Sequence, residues 1–396
     1  MKPFTVLVAC DAFKGALNQA AVVEAIAAGL RRGYPSVRVD ACPLADGGEG
    51  SSLLMQARGG QVHSVTVADA YGAPHVAHWV SYQGIALVES AEGSPYVPPD
   101  RRPAASALTT TSRGTGELIQ AALEHPEVRE VWVALGGTGC VDGGIGLLGA
   151  LGAKFYDSQG RQLAPVVGSW AKVLRVVLPR LAKPLVGLAD VWVPLLGVNG
   201  ALERFGPQKG LRLEEMAEAE AALQQFAESV RPGLADHPGA GAAGGIGFAL
   251  LALGASLQPG ARWWAEWSHL PQRIAASDVV ITGEGRLDEQ SLMGKVVSIV
   301  LEEGRRQQKP VVVLAGEIPD DLTPFYAAGL TSAWSIVTGP VPLRDALAKT
   351  EGWLREAGER LGRLFAVGQP WASDVQRAHR KPRDKEGGTG GSPGDV

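Results

Sequence analysis

Apolar, β-branched runs alternate with stretches of helical period along this chain. "TVLVACDAFKG", "VWVALGGTGCVDGG", "DVVITGEGRLDEQ" and "PVVVLAGE" begin as Val/Ile/Leu-rich runs, and their apolar character gives way to glycine and acid. Near-continuous runs of this kind suit strands buried on both faces. Between them Val22, Val23, Ile26 and Leu30 share one helical face, as do Leu292, Val296, Ile299 and Val300, and Leu223, Phe226, Ala227 and Val230. Strand alternating with helix predicts βαβ units and a mostly parallel sheet, hence an α/β fold. Ligands bind such sheets beyond the carboxyl ends of the strands, and the glycine–acid clusters all fall there. The Pro-rich stretch "ESAEGSPYVPPDRRPAASA", Glu89 to Ala107, reads as a loop within a second domain. From Ser373 onward the chain has no apolar period and reads as a disordered tail.

Composition narrows the class. A length of 396 residues suggests roughly two domains. With 45% hydrophobic and 20% charged residues, the chain has the balance of a soluble protein with a real core. A net charge of −4 argues against a nucleic-acid or anionic-membrane partner. No apolar run is long enough to span a bilayer, and "MKPFTVLVACDAFKG" reads as a first strand rather than a signal peptide. Cys10, Cys42 and Cys140, odd in number and without CxxC spacing, suggest reduced thiols in the cytoplasm.

Several familiar sites are excluded. "GAGAAG" at Gly239 matches a dinucleotide fingerprint by letters, but "RPGLADHP" stands where the strand should be. It reads either as a Gly/Ala-rich helix start facing an anion or as close packing through small residues. "LMGKVV" around Lys295 lacks the spacing and hydroxyl of a P-loop. His75 and His78 have no obvious third ligand, which speaks against zinc, and "RWWAEW" reads as packing.

What remains is a set of short clusters. "PLADGGEG" holds Asp46 and Glu49 among glycines, and "DAFKG" sets Asp11 and Lys14 after the first strand. "ALGGTGCVDGGIG" carries Asp142, and "FGPQKG" puts Gln208 and Lys209 in what reads as a tight loop. "TGEGRLDEQSLMGK" presents Gly283, Glu284, Arg286 and Asp288, with Lys295 at its end. Acids on glycine loops suit Mg²⁺, which takes carboxylates, waters and substrate phosphates. Lysines and bare N–H groups neutralise shifting phosphate charge, and one free acid can orient or deprotonate a hydroxyl nucleophile. Together these are the parts of a small-molecule kinase without a P-loop.

On these motifs the chain resembles the type I glycerate kinases, the glycerate 2-kinase family. "DAFKG" stands for the usual DSFKGS, followed by "PLADGGEG", "RGTGELI", "ADVWVPLLGVNGA", "FGPQKG", "GAGAAGGIG" and "ITGEGRLDEQS…GK" in order. Three departures each remove hydrogen-bonding side chains. Cys140 and Val141 replace a Thr-Asn pair, Val193 replaces an Asn, and Ala12 and Ala16 replace serines.

The resemblance implies ATP- and Mg²⁺-dependent phosphorylation of D-glycerate, giving 2-phosphoglycerate, in a cleft between two α/β domains. A Rossmann-like domain would combine residues 1–68 and 273–368, with an inserted α/β domain at 69–272 and the tail at 369–396. Asp190 is the expected base or orienting acid, with Lys14 and Asp46 beside it in catalysis. Asp46, Glu49 and Asp288 are candidates for Mg²⁺ or substrate hydroxyls. Lys14, Lys209 and Lys295 are candidates for phosphate or carboxylate charge, and Asp11, Asp142, Gln208, Gly283, Glu284 and Arg286 complete the binding set. A kinase for another small hydroxy acid and a catalytically silent carboxylate-binding relative are the alternatives.

Overall fold

The computed structural model describes residues 3–104 and 106–367; the tail expected at 369–396 lies outside the described residues. The elements begin β1 (Thr5–Val8), α1 (Gln19–Gly33), β2 (Arg38–Ala41), α2 (Ser51–Gln56), β3 (Gln61–Ala68), β4 (Pro74–Tyr82), β5 (Ile85–Glu89) and α3 (Ser90–Gly93). There follow α4 (Arg113–Glu124), β6 (Glu130–Leu135), α5 (Ile145–Ala150), β7 (Lys154–Tyr156), β8 (Gln162–Leu163), β9 (Arg175–Val177), β10 (Leu185–Ala189), α6 (Ala201–Lys209) and α7 (Leu213–Val230). The last third holds α8 (Ile246–Ala252), β11 (Ser256–Pro259), α9 (Gly260–Trp267), α10 (Leu270–Ala276), β12 (Val279–Arg286), α11 (Val296–Arg306), β13 (Val311–Glu317), α12 (Thr323–Ala328), β14 (Ser332–Ser335) and α13 (Leu343–Val367).

Two larger sheets organise these elements. One has the order β14-β13-β12-β1-β2 and is wholly parallel, so strands from both ends of the chain lie side by side. Its register pairs Val6 with Val279 and Val8 with Ile281, which aligns the ends of the "TVLV" and "VVIT" runs. The other has the order β11-β10-β6-β5-β4-β3, parallel from β11 to β5 and antiparallel beyond. A small antiparallel sheet, β8-β7-β9, completes the set. The expected α/β class with largely parallel sheets is what the chain forms. β3, within the 1–68 segment that the resemblance assigns to the first domain, pairs with β4 along its whole length in the six-stranded sheet.

Buried side chains explain the layering. Val22, Val23, Ile26 and Leu30 of α1 pack with Val6 and Val8 on one face of the five-stranded sheet, and α13 covers the same face through Leu354 and Leu361. The helices approach closely because Gly29 and Gly33 on α1 face Gly358 and Gly362 on α13. On the other face, Val296, Ile299 and Val300 of α11 pack on Leu7 and Val313. A third core, of Met55, Leu87, Trp132, Leu188 and Trp264, packs α2 and α9 on one face of the six-stranded sheet, with Ala45 of the loop after β2 beside them. There Trp132 meets Trp263 edge to face at 4.9 Å, and Trp264 meets Trp267 at 5.0 Å, so the "RWWAEW" aromatics of α9 do pack, helix against sheet.

Candidate active site

The carboxyl ends of β1, β2, β6, β10 and β12 converge, because both sheets turn the same ends toward one cleft. The loop after β2 reaches the end of β6 directly: a Cβ on Gly136 would lie 3.4 Å from Gly48 Cα. That is ordinary contact; the loop's need for bare backbone is at Gly47, whose φ of +95° and close approach to Gly260 leave no room for a side chain.

Asp46 is buried at the base of this cleft. Its Oδ2 lies 3.0 Å from the Lys14 ammonium, and its Oδ1 accepts the N–H of Gly48 at 3.0 Å. The Asp46 charge holds the Lys14 pKa above its ordinary value. Asp11, whose Oδ1 accepts the Ala12 N–H at 2.6 Å, is pushed up to about 8 by burial and then by the nearby Asp46 charge. Asp190 is the first residue after β10. Burial, followed by the charge of Asp46, pushes it up to about 6, while Lys14 and Lys295 act in the opposite direction. Acids spread over several pKa values in one cleft are what acid–base chemistry requires.

Two recesses meet around these residues. One, of about 190 Å³, is lined by Asp11, Lys14, Asp46, Glu284, Asp288 and Lys295, with Arg286 at its edge. The buried Oε1 of Glu284 has no hydrogen-bond partner there, and burial raises its pKa. Asp288 caps a short turn by accepting the Gln290 N–H at 2.9 Å, and Lys295 stands at the N-cap position of α11 without a side-chain capping bond. Arg286 is exposed and lies 3.4 Å from Glu317. Gly283 is buried in β12, where a side chain would run into Leu314 of β13.

The other recess, of about 320 Å³, is lined by Gly136, Gly137, Thr138, Asp190, Gln208 and Lys209, among others. Lys209 is buried, donates to Cys140 O at 2.9 Å and Thr138 Oγ1 at 3.2 Å, and has its pKa lowered by burial. All its hydrogen-bond acceptors are uncharged, which leaves the ammonium able to take a carboxylate or phosphate oxygen. "FGPQKG" is not the tight loop its letters suggest. Phe205 to Lys209 form the last part of α6, and only Gly210 departs from it, at φ +96°. Pro207 is tolerated inside the helix although it removes the bond to Glu203, and the left-handed glycine ends the helix just after Lys209.

Not every expected residue arrives in these recesses. Glu49 is exposed and lines a wider neighbouring cleft of about 650 Å³ with Lys14. Asp142 lines neither recess. It is buried, its Oδ2 accepts from Ser112 N–H, Ser112 Oγ and Gly146 N–H at 2.7, 2.9 and 3.1 Å, and its Oδ1 accepts the Gly144 N–H at 3.1 Å. With its lone pairs taken, it ties the start of α4 to the Gly143-Gly144 turn. Cys140 and Val141 are likewise fully buried in the core, so that departure from the family pattern falls beneath the cleft. "GAGAAG" proves to be close packing: side chains at Gly241 and Gly244 would strike Pro194 O and Cys140 O. Thr138, within the "ALGGTGCVDGGIG" cluster, and Tyr96 and Glu89, within the stretch read as a loop, line the clefts although none was singled out as a site residue.

Known proteins resemble this chain over most of its length. The glycerate kinase family model matches residues 6–366. Glycerate 2-kinase of Escherichia coli is 35% identical over 92% of this chain and 98% of its own. Glycerate kinase of Bacillus subtilis is 35% identical over 86% and 92%. A crystal structure of putative glycerate kinase 2 from Salmonella typhimurium superposes with a TM-score of 0.79 at 34% identity, covering 93% of this chain and all of that one. The family model spans nearly the whole chain and the match runs over nearly the full length of these relatives, so the chain belongs to the glycerate kinase family.

Proposed function

We propose that this kinase transfers the γ-phosphate of ATP to the 2-hydroxyl of D-glycerate, giving ADP and 2-phosphoglycerate. The observation that carries the reading is Asp190 beside the Asp46–Lys14 pair, where the two recesses meet. The larger recess suits a small hydroxy acid, its carboxylate taken by the buried Lys209 ammonium. The smaller one, with Lys14 and Lys295, suits the phosphates. Asp190 accepts the proton of the attacking hydroxyl as the new O–P bond forms. The bond from the γ-phosphorus to the bridging oxygen breaks, and ADP leaves with that electron pair. Lys14 and Lys295 balance the charge that moves onto the leaving phosphates.

The residues fit Mg²⁺. The ion takes one or two carboxylates and fills its other positions with water and phosphate. Among the described residues there is no cluster of three or more metal-ligating side chains. Asp46 and Asp288 share a recess in which Glu284 carries an orphaned buried oxygen, and a cation there would offset the crowded negative charge. Bound Mg²⁺ would neutralise β- and γ-phosphate oxygens. We further propose two domains, one built on each large sheet with the cleft between them, working in the cytoplasm.

ADP release on mixing enzyme, ATP and D-glycerate tests the reading, with NMR of the product to locate the phosphate. Release with a longer sugar acid but not D-glycerate would replace the substrate. Carboxylate binding without ADP release would replace the reaction.

A further inference from the structure

Glu89 ends β5 and is 6% exposed, at the floor of the wider cleft. A buried carboxylate is costly unless hydrogen bonds compensate it. Here Oε1 accepts the Ser52 N–H at 2.6 Å and Oε2 the Gly50 N–H at 3.3 Å. Burial still drives its pKa upward against those bonds. The partners matter. Gly50 and Ser52 lie at the start of α2, whose N-cap is Gly50 at φ +91° with no side-chain cap of its own. Few side chains tolerate that conformation, so a local Ser or Asp cap is excluded and the acceptor comes from a strand of the other sheet. The same loop is held from other sides as well. Gln19 donates to Gly50 O, Ser51 Oγ donates to Gly48 O at 2.8 Å, and Trp264 Nε1 donates to Ser51 Oγ at 3.1 Å. Glu89 is the charged member of this set.

We propose that Glu89 is a positioning residue for phosphoryl transfer, fixing the Asp46–Gly50 loop to the end of β5 so that Asp46 faces Lys14 and Asp190. The proposal rests on the reading of Asp46 as part of the reacting site. Phosphoryl transfer depends on placement, and small displacements cost large factors in rate. A Glu89→Gln side chain can offer its oxygen to one of the two N–H groups, while its NH₂ opposes the other.

Glu89→Gln, Asp46→Asn and the double variant are compared with the parent for turnover, KM for D-glycerate, melting temperature and amide exchange across residues 46–52. Turnover of Glu89→Gln is expected to fall about tenfold or more, with KM changed by less than about twofold. In the Asp46→Asn background the same change should have little further effect, since interacting sites are non-additive. A lower melting temperature with turnover within about twofold of the parent would make Glu89 a helix cap only, and overturn the proposal. So would an equal loss of rate in both backgrounds. If Glu89→Gln does not fold, Glu89→Asp, which keeps the charge but shortens the reach, is judged by the same two readouts. If the parent itself does not turn over D-glycerate, that failure belongs to the proposed substrate. Amide exchange then decides: unchanged protection of Gly50–Ser52 in Glu89→Gln overturns the positioning role.

Discussion

Gly47 and Gly260 meet backbone to backbone: a Cβ on Gly47 would fall 2.5 Å from Gly260 Cα. Gly47 has φ +95° and lies next to Asp46, while Gly260 begins α9 after β11. The two connections between the sheets therefore cross beside the acid that pairs with Lys14. Gly260→Ala should force them apart, costing about 1–3 kcal/mol as overpacking does. Turnover should fall with stability, because Asp46 moves with its neighbour. A melting curve and a turnover number on the same variant check both.

Asp190→Asn separates chemistry from structure. If Asp190 takes the hydroxyl proton, turnover should drop about 100- to 10,000-fold while ATP binding persists. Its carboxylate is buried near Asp46, so removing the charge should leave the melting temperature at pH 8 unchanged or higher. A variant that melts lower yet retains turnover would make Asp190 structural.

The same residue sets an acid limit on rate. With its pKa pushed up to about 6, activity should decline as pH falls through that value and the base becomes protonated. The pH profile of kcat/KM reads this group in the free enzyme, and a flat profile down to pH 5 would contradict it.

Asp11 makes a prediction about stability alone. Its folded-state pKa of about 8 is far above the unfolded value near 4. The folded protein therefore holds a proton that the unfolded chain releases, and this group's penalty grows as pH rises from about 4 to about 8. Asp11→Asn should match the parent near pH 4 and melt higher at pH 9, with chelator present in both. Equal melting temperatures across the range would refute the buried-acid account.

Chelator should abolish turnover, and Mg²⁺ or Mn²⁺ should restore it, both being oxygen-seeking ions. Asp46→Asn and Asp288→Asn, which share a recess, should each raise the metal concentration needed for half activity. Full turnover in excess chelator would remove the metal from the scheme.

Strand ends were readable from the chain because strands buried on both faces leave a continuous apolar run, and the glycine–acid clusters follow such runs. Whether an acid faces ligand or protein was not. Asp142 and Asp190 are both acids that follow an apolar residue, but Asp142 is held by four protein donors while Asp190 lines a recess. "FGPQKG" misled because Pro and Gly are strong loop signals, while a helix in its last turn accepts both. Glu89 ends the run "IALVE" as Asp46 and Glu284 follow theirs, but the residues after it are Ser and Ala, so no glycine marked it. The place of β3 depends on its hairpin with β4, a pairing that no period within one strand reveals.

The seam of α1 against α13 and the pairing of β1 with β12 set an order for biosynthesis. During synthesis, β1 and β2 emerge first, yet β1 bonds to a strand 273 residues later, as Val6 does with Val279. Until α13 leaves the ribosome, the Gly29–Gly33 surface of α1 has nothing to lie against. The strands from β3 to β11 form a continuous piece of chain and can assemble while translation continues. The N-terminal βαβ unit must instead wait, exposed, for the C-terminal strands. Such long-range closure is slow, so an arrest of synthesis before Val279 would leave β1 without β12, and the Asp46 loop held only from the side of Glu89 and Trp264.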